Sequence, residues 1–156
     1  MAILTLSLLA QPNPTAVRAI VQDLTIPEVS VNDLAIATPT IESGDEMSVR
    51  VGVAGEAYAN RQFPYFGAVT VTYHRLSMQD TFGPLNLELM VPFPTTTSYL
   101  IQLLGEALAI HFSEDDYVEE LIELSSDLSQ RSYVLRAGAQ SPRWIGQTTI
   151  QLHRAE

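Results

Sequence analysis

The amino-acid sequence predicts an α+β fold built as a tandem duplication of one strand–helix–strand–strand (βαββ) unit. The first observation is an internal echo, because Gly67–Arg75 reads GAVTVTYHR and Gly146–Arg154 reads GQTTIQLHR. The second is that three more landmarks recur in the same order at a displacement of about 80 residues. These landmarks are LTLSLLA (4–10) with LNLELMV (85–91), Pro14-Thr15 with Pro94-Thr95, and VRVGVAG (49–55) with VLRAGAQ (134–140).

The length of the chain favours two small units that share one core. The chain has 156 residues and a mass of 17.2 kDa. A lone unit of fewer than about 80 residues buries only a thin core, so two such units gain by packing together. We therefore predict a first βαββ repeat at residues 1–78 and a second at 79–156, packed as one compact pseudo-twofold domain. The two units form two mainly antiparallel sheets, or one continuous sheet, with helices on one face.

The first unit has one predicted helix between predicted strands. Ile3–Ala10 alternates leucine with polar residues, which is typical of a strand with one buried face. Thr15–Leu24 carries Val17, Ile20, Val21 and Leu24 at helical spacing. Met47–Ala54 and Gly67–Arg75 alternate again and predict a strand pair. Leu76–Gly83 is predicted to link the units.

The second unit repeats this order with one addition. Leu85–Val91 predicts a strand, and a helix follows in which Thr95–Ser98 can cap the N-terminus. The apolar stripe of that helix consists of Leu100, Leu103, Leu104, Ala107 and Leu108. Ser113 and the acids after it predict a further helix over residues 113–127. Ser132–Gly138 and Ile145–His153 then form a strand pair.

Composition argues against several classes of partner. The net charge is −10, and every basic residue is an arginine, scattered along the chain. Binding to nucleic acid or to an anionic membrane needs clustered positive charge, so neither is expected. The chain has no cysteine, which excludes disulfides and cysteine metal sites.

Motifs for catalysis are missing from the sequence. It contains no phosphate-binding glycine loop, nucleophile elbow or zinc-protease helix. His74 and His153 end equivalent strands, and polar residues that form hydrogen bonds at strand ends are the favoured interpretation over a shared metal site. The expectation is a protein that is not an enzyme, with no catalytic residues, no cofactor, no metal and no small-molecule substrate.

An aromatic segment is the first candidate contact surface. The connection GEAYANRQFPYF (55–66) is too long for a tight turn and carries Tyr58, Phe63, Tyr65 and Phe66. These rings either cap the end of the sheet or form a surface that contacts another protein. A ligand- or receptor-binding module that uses the same aromatics is the alternative function.

An acidic segment is the second candidate. Asp116, Glu119, Glu120 and Glu123 would share one face of the predicted helix. Such a face is solvated, docks a partner that carries arginine, or binds a divalent cation.

Several segments resemble small virion structural proteins of large tailed bacteriophages with contractile tails. The similar parts are the capped helix PTTTSYLIQLL, the acidic segment LAIHFSEDDYV and the closing strand WIGQTTIQL. An (S/T)-x-(D/E)-D segment of those proteins is matched by Ser113, Asp115 and Asp116. Their G-x-V-T-V-x-Y-x-R strand is matched here by Gly67, Val69, Thr70, Val71, Tyr73 and Arg75. The likeness runs from about Asp33 to the end of the chain.

The resemblance implies a structural role without an active site. It implies localisation in the virion, at the neck, tail or baseplate, and partners that are other virion proteins and repeated copies of this chain.

Substitution of the aromatic segment tests its predicted role in assembly. We expect Phe63→Ala and Tyr65→Ala to weaken self-association, because aromatic anchors contribute a large share of contact energy. Light scattering of each variant across a concentration series measures this. Variants that associate as the wild type does would place the contact elsewhere.

Overall fold

The computed structural model describes residues 6–24, 34–53 and 68–156 and divides the chain into two compact units. Unit 1 is Met1–Arg75 and unit 2 is Leu76–Glu156. This division lies close to the predicted boundary between residues 78 and 79. The predicted linker is regular structure of unit 2, because it contains a two-residue strand and a helix.

The described residues of unit 1 form two helices followed by a four-stranded antiparallel sheet. Its elements are α1 (Leu6–Leu9), α2 (Asn13–Leu24), β1 (Leu34–Ile36), β2 (Thr40–Ser43), β3 (Glu46–Val53) and β4 (Ala68–His74). β3 is central, with β4 along one side and β1 and β2 along the other. The predicted strand pair is therefore confirmed, with Val49 opposite Val71.

A cluster of valines at the predicted spacings lies in the core of unit 1. Val17 and Val21 on α2 pack with Val49, Val51 and Val71 of the sheet. The two faces meet because helical spacing of three to four residues and strand alternation each place apolar side chains on one side. The predicted helix at residues 15–24 is confirmed.

The predicted strand at residues 3–10 is wrong over its described part. Leu6–Leu9 is a single helical turn, and the amide of Gln11 donates to the carbonyl of Leu8 at 3.1 Å. Alternation over so few residues also fits one helical turn, since Leu6 and Leu9 are three apart.

The arginine that follows β4 binds the turn between β2 and β3. Arg75 is buried, and its guanidinium donates to the carbonyl of Gly44, while its amide donates to the carbonyl of Asp45 at 2.8 Å. Gly44 has a φ of +52°, a conformation that suits glycine. The neighbouring His74 lies 3.3 Å from the Asp45 carboxylate. The last residues of the GAVTVTYHR strand thus have structural contacts.

Unit 2 contains a mixed three-stranded sheet, together with two helices and several two-residue strands. Its elements are β5 (Leu76–Ser77), α3 (Met78–Phe82), β6 (Glu88–Val91), β7 (Thr95–Thr96), α4 (Thr97–Leu108), β8 (Leu121–Ile122), β9 (Gln130–Arg136), β10 (Trp144–Ile145) and β11 (Gln147–Arg154). Turns of 3₁₀ helix lie at Gly83–Leu85 and Glu114–Asp116. The sheet order is β6–β11–β9, with β6 parallel and β9 antiparallel to β11. The α+β fold class is confirmed, and the pairing of the described strands is mainly antiparallel as predicted, with β6–β11 and β5–β10 as the parallel pairs.

The main helix and the aromatic rings form the core of unit 2. Thr96 caps α4 by accepting from the amide of Tyr99, and Leu100, Ile101 and Leu104 are buried. The capped helix is confirmed, although Ala107 of its predicted stripe is exposed. Trp144 is fully buried, with its ring centroid 5.0 Å from that of Phe82.

The predicted helix at residues 113–127 is wrong. After the 3₁₀ turn the chain extends, and Tyr117 forms a bridge with Ala137. The amide of Val118 donates to Arg136 at 3.1 Å, and the carbonyl of Glu120 accepts from Thr97 at 3.1 Å. These backbone groups are bonded to other elements instead of to one another, so tertiary pairing overrides the local acidic pattern.

The tandem duplication is not confirmed, although both units contain a helix followed by an antiparallel strand pair. Of its first landmark pair, residues 6–9 are helical and residues 88–91 are a strand. The strand pair also differs in phase. Val49 lies opposite Val71, but the residue opposite Ile150 is Tyr133, one position before the landmark residue Val134.

Candidate functional site

The aromatic candidates lie outside the described residues. Tyr58, Phe63, Tyr65 and Phe66 fall in the segment 54–67, so their predicted contact role stays a prediction. The acidic candidates and the sheet edges of unit 2 are described.

Asp116 is the centre of a buried ion pair. Arg143 donates from Nη2 to Asp116 Oδ2 at 2.7 Å, and both side chains are fully buried. The Ser141 hydroxyl donates to Oδ1 at 2.7 Å, and the amide of Ser113 donates to Oδ2 at 2.8 Å. Arg143 also donates to the carbonyl of His111. The carboxylate is used inside the unit, which does not fit its predicted place on a contact surface.

The chain around this ion pair is tightly packed. The amide of Gly138 donates to the carbonyl of Asp116 at 3.1 Å. A Cβ at Gly138 would lie 2.1 Å from the carbonyl oxygen of Asp115, so only glycine fits there. Ser141 Oγ accepts from the amide of Trp144 at 3.0 Å, which links the ion pair to the aromatic core.

Glu119 and Glu120 stabilise the start of α4 and the side of β9. The Glu119 carboxylate accepts from the amide of Ser98 at 3.0 Å, a favourable place for negative charge at a helix N-terminus. Glu120 accepts from the Tyr133 hydroxyl at 3.1 Å and pairs with Arg136 at 3.2 Å. Tyr133 and Thr97 also share a buried hydrogen bond of 2.8 Å between their hydroxyls.

Burial is the main cause that raises the pKa of the Tyr133 phenol. The hydrogen bond and the negative charge of Glu120 also raise this pKa, whereas the hydrogen bond with Thr97 and the charge of Arg136 lower it. The neutral phenol is therefore the form that this environment stabilises.

Glu123 is the remaining acidic candidate, and its carboxylate has no hydrogen bond or ion pair within the described ranges. Its carbonyl accepts from Arg131 at 2.6 Å. The four acids are not brought together as one face, since three of them have different intramolecular partners. Over residues 6–24, 34–53 and 68–156, no group of three acidic or histidine side chains is arranged to hold a metal ion.

The sheet of unit 2 has an open edge at β6. The register places the backbone groups of residues 87, 89 and 91 against β11, with Gln151 donating to Leu87 at 3.0 Å. Because successive residues of a strand point their backbone groups to opposite sides, those of Glu88 and Met90 point away from β11. They have no hydrogen-bond partner among the residues that the structure describes. Met90 is 62% exposed.

The opposite edge of the same sheet, at β9, is also open. Across the β9–β11 pair, the amide of Ala137 donates to the carbonyl of Gly146, and the amide of Arg154 donates to the carbonyl of Ser129. The backbone groups of the odd-numbered residues of β9 therefore point toward β11. The backbone groups of Gln130, Ser132 and Val134 therefore point outward, again without a partner in the described part of the chain. The next outward carbonyl, that of Arg136, already accepts from the amide of Val118, so the open part of the edge ends at Val134. We will call Glu88–Met90 the β6 edge and Gln130–Val134 the β9 edge.

Sequence reasoning missed the residues that organise both features. Arg143 was one of eight scattered arginines, and it follows its carboxylate partner by 27 positions. The pattern at Ser141-Pro142 predicts only a turn. The edges of a sheet depend on strand order, which alternation does not reveal. The one available signal was the absence of lysine, the residue that commonly protects strand edges.

Asp116→Asn tests the importance of the buried ion pair. Removal of the charge leaves Arg143 buried without its counter-ion, so we expect the free energy of unfolding to fall by about 3–5 kcal/mol. Urea denaturation followed by circular dichroism measures this change. Asp115→Asn is the matched control, because Asp115 is exposed and should change stability by less than about 0.5 kcal/mol. Equal effects of the two substitutions would contradict the interpretation.

Tyr133→Phe tests the hydrogen bonds of the buried phenol. It should lower the free energy of unfolding by about 1–2 kcal/mol, because bonds to Thr97 and Glu120 are lost. A raised pKa contributes stability at lower pH that is lost as the pH rises beyond the unfolded value of about 10. The variant should therefore lose less stability between pH 8 and pH 11 than the wild type. Tyr99→Phe, at an exposed tyrosine, serves as control; an identical alkaline loss in Tyr133→Phe would refute the assignment.

Comparisons with known proteins give one match. No curated protein and no solved structure matches the chain. Within the described residues, no helix has the length and apolar character needed to cross a membrane. The model of a family of unknown function, DUF7941, matches residues 8–156 and so covers both units. The chain belongs to the family DUF7941.

Proposed function

We propose that this chain is a non-enzymatic structural protein of a tailed-bacteriophage particle, in the neck, tail or baseplate, that assembles by protein–protein contacts. Its partners are other particle proteins and further copies of the chain. The observation that carries the proposal is the pair of open sheet edges in unit 2. The particle itself is supported by the sequence resemblance.

Open edges favour association because they present unpaired backbone donors and acceptors. Another strand can satisfy these groups by extending the sheet, and proteins that remain monomeric usually protect such edges. Lysine and proline are two common means of protection. The β6 and β9 edges contain neither residue, and the chain has no lysine at all. These edges are therefore suited to be contact surfaces.

The exposed apolar side chains of unit 2 add to this. Met90 and Leu121 are 62% and 66% exposed, and Leu128 is 49% exposed. Met90 lies on the β6 edge, and Leu128 precedes the β9 edge by two residues. Methionine and leucine beside unpaired backbone supply apolar area to a contact that hydrogen bonds alone would leave weak.

The internal use of the acidic segment also favours a structural protein. Three of the four candidate acids hold turns, a helix end and a strand side in place, and the fourth is solvated. The segments shared with virion proteins have the same character, since Asp116 is buried in an ion pair and Arg75 in a turn contact.

Association and particle content together test the proposal. Light scattering of the purified chain should give a mass that rises above 17.2 kDa as the concentration increases. Mass spectrometry of purified particles from the virus that encodes the chain should detect it in many copies. A constant monomer mass together with absence from particles would overturn the proposal. Saturable binding of a small ligand by that monomer would favour the ligand-binding alternative.

A further inference from the structure

We infer that copies of this chain associate head to tail, with the β6 edge of one copy pairing antiparallel with the β9 edge of the next. This inference rests on the proposed function and deepens it by naming the partner as a second copy and the contact as these two edges. The sheet then continues from copy to copy in the order β6–β11–β9.

Strand direction permits this arrangement without reversal of the sheet. β6 runs parallel to β11 and β9 runs antiparallel to it, so β6 and β9 have opposite directions. A second copy placed beside the first in the same orientation therefore sets its β6 antiparallel to β9, the more stable type of pair. The result is a heterologous contact that repeats, giving a ring or a filament.

The chain itself limits the length of the pairing. Pro92 follows β6 and has no amide hydrogen to donate, so pairing on this side stops at Met90. On β9 the carbonyl of Arg136 already accepts from Val118 at 3.1 Å, so pairing stops at Val134. The two outward residues of β6 can therefore pair with the three outward residues of β9 in more than one register.

Charge favours one register among these. Glu88, Met90, Ser132, Val134 and Arg136 all lie on the face of the sheet away from the core, as their exposure and register show. Placing Glu88 opposite Val134 and Met90 opposite Ser132 brings Glu88 diagonal to Arg136, within reach of a long side chain. Diagonal to Val134, Met90 then adds an apolar contact.

Both charged groups have capacity for this contact. The Glu88 carboxylate is 69% exposed, and its ion-pair partner among the described residues is His153, with 3.6 Å between carboxylate oxygen and ring nitrogen. Arg136 is half exposed and donates to Glu120 from Nη1 alone; its other donors have no acceptor within the described residues. A guanidinium has five N–H donors, so it can bind both carboxylates.

The same charges disfavour two-fold pairing. Two β6 edges that pair with each other bring Glu88 close to its own copy. Two β9 edges that pair with each other bring Arg131 close to its own copy across the strands. Like charges at such positions are destabilising, whereas the head-to-tail pair sets an acid against an arginine.

Two variants with reversed charge test the pairing. The β6 variant is Glu88→Arg with Met90→Arg, and the β9 variant is Ser132→Glu with Arg136→Glu. Each alone sets like charges across the contact, so the concentration needed for half assembly should rise about tenfold or more. An equimolar mixture restores opposite charges at every contact and should assemble as the wild type does. Light scattering at pH 8 across a concentration series measures each case.

The control adds the same positive charge as the β6 variant, away from both edges. Gln102→Arg with Glu106→Arg changes exposed residues of α4 and should leave assembly unchanged. Thermal melts by circular dichroism check that each variant folds. If a double variant does not fold, the single changes Glu88→Arg and Arg136→Glu, both on exposed side chains, give the same test.

Each outcome separates this inference from the proposed function. If the wild type assembles and either variant assembles equally well alone, the inference is overturned and the proposed function stands. A mixture that stays monomeric beside an assembling control also overturns the edge pairing. If the wild type is monomeric throughout, self-association fails, and detection of the chain in particles decides the proposed function separately.

Discussion

The buried ion pair of Asp116 and Arg143 is the constraint on which most of unit 2 depends. Two opposite charges in a low-dielectric interior are tolerated only when each is paired and hydrogen-bonded. Here the carboxylate also accepts from the Ser141 hydroxyl and the Ser113 amide, so its oxygens are satisfied. The backbone of Arg143 accepts from Leu76 at 2.8 Å, which carries the constraint to the first residue of the unit.

The ion pair also determines where the sheet ends. With Asp116 held, the chain beyond it passes Gly138 and lies along the end of β9, where Tyr117 bridges Ala137 and Val118 bonds Arg136. This segment pairs with the last residues of β9, whereas Gln130–Val134 has no neighbouring strand on that side among the described residues. The same contact that makes Asp116 unavailable as a surface residue therefore sets the length of the open edge.

Local pattern was sufficient to predict the two long helices, α2 and α4, and the antiparallel strand pair of each unit. Val17 and Val21 in α2, and Val49 and Val71 in the sheet, are buried where their spacing predicts, because burial of one face is what creates the pattern. The cap at Thr96 was also visible, since a hydroxyl before an apolar helix satisfies an otherwise unpaired amide.

Segments governed by distant contacts were not predictable in this way. The acids after Ser113 fit a helix locally, yet their backbone is bonded to α4 and β9. The sequence of residues 113–127 alone does not predict hydrogen bonds to α4 and β9. The predicted repeat is not confirmed for a related reason. The landmark match equates Val49 with Val134, but Tyr133 occupies the position in β9 that Val49 occupies in β3. A shift of one residue along a strand moves its side chains to the opposite face of the sheet. Similar letters at similar spacing therefore do not establish equivalent structure.

The acidic net charge means that a contact between two copies of this chain would depend on where individual charges lie. A net charge of −10 makes copies repel one another at long range. At physiological ionic strength that repulsion is screened beyond about 8 Å, so short-range contacts decide whether two copies associate. Arg136 lies on β9 and Glu88 lies on β6, with both side chains on the same face of the sheet. In the proposed head-to-tail pairing, this placement of the two signs on opposite edges brings opposite charges together although the chain as a whole is acidic.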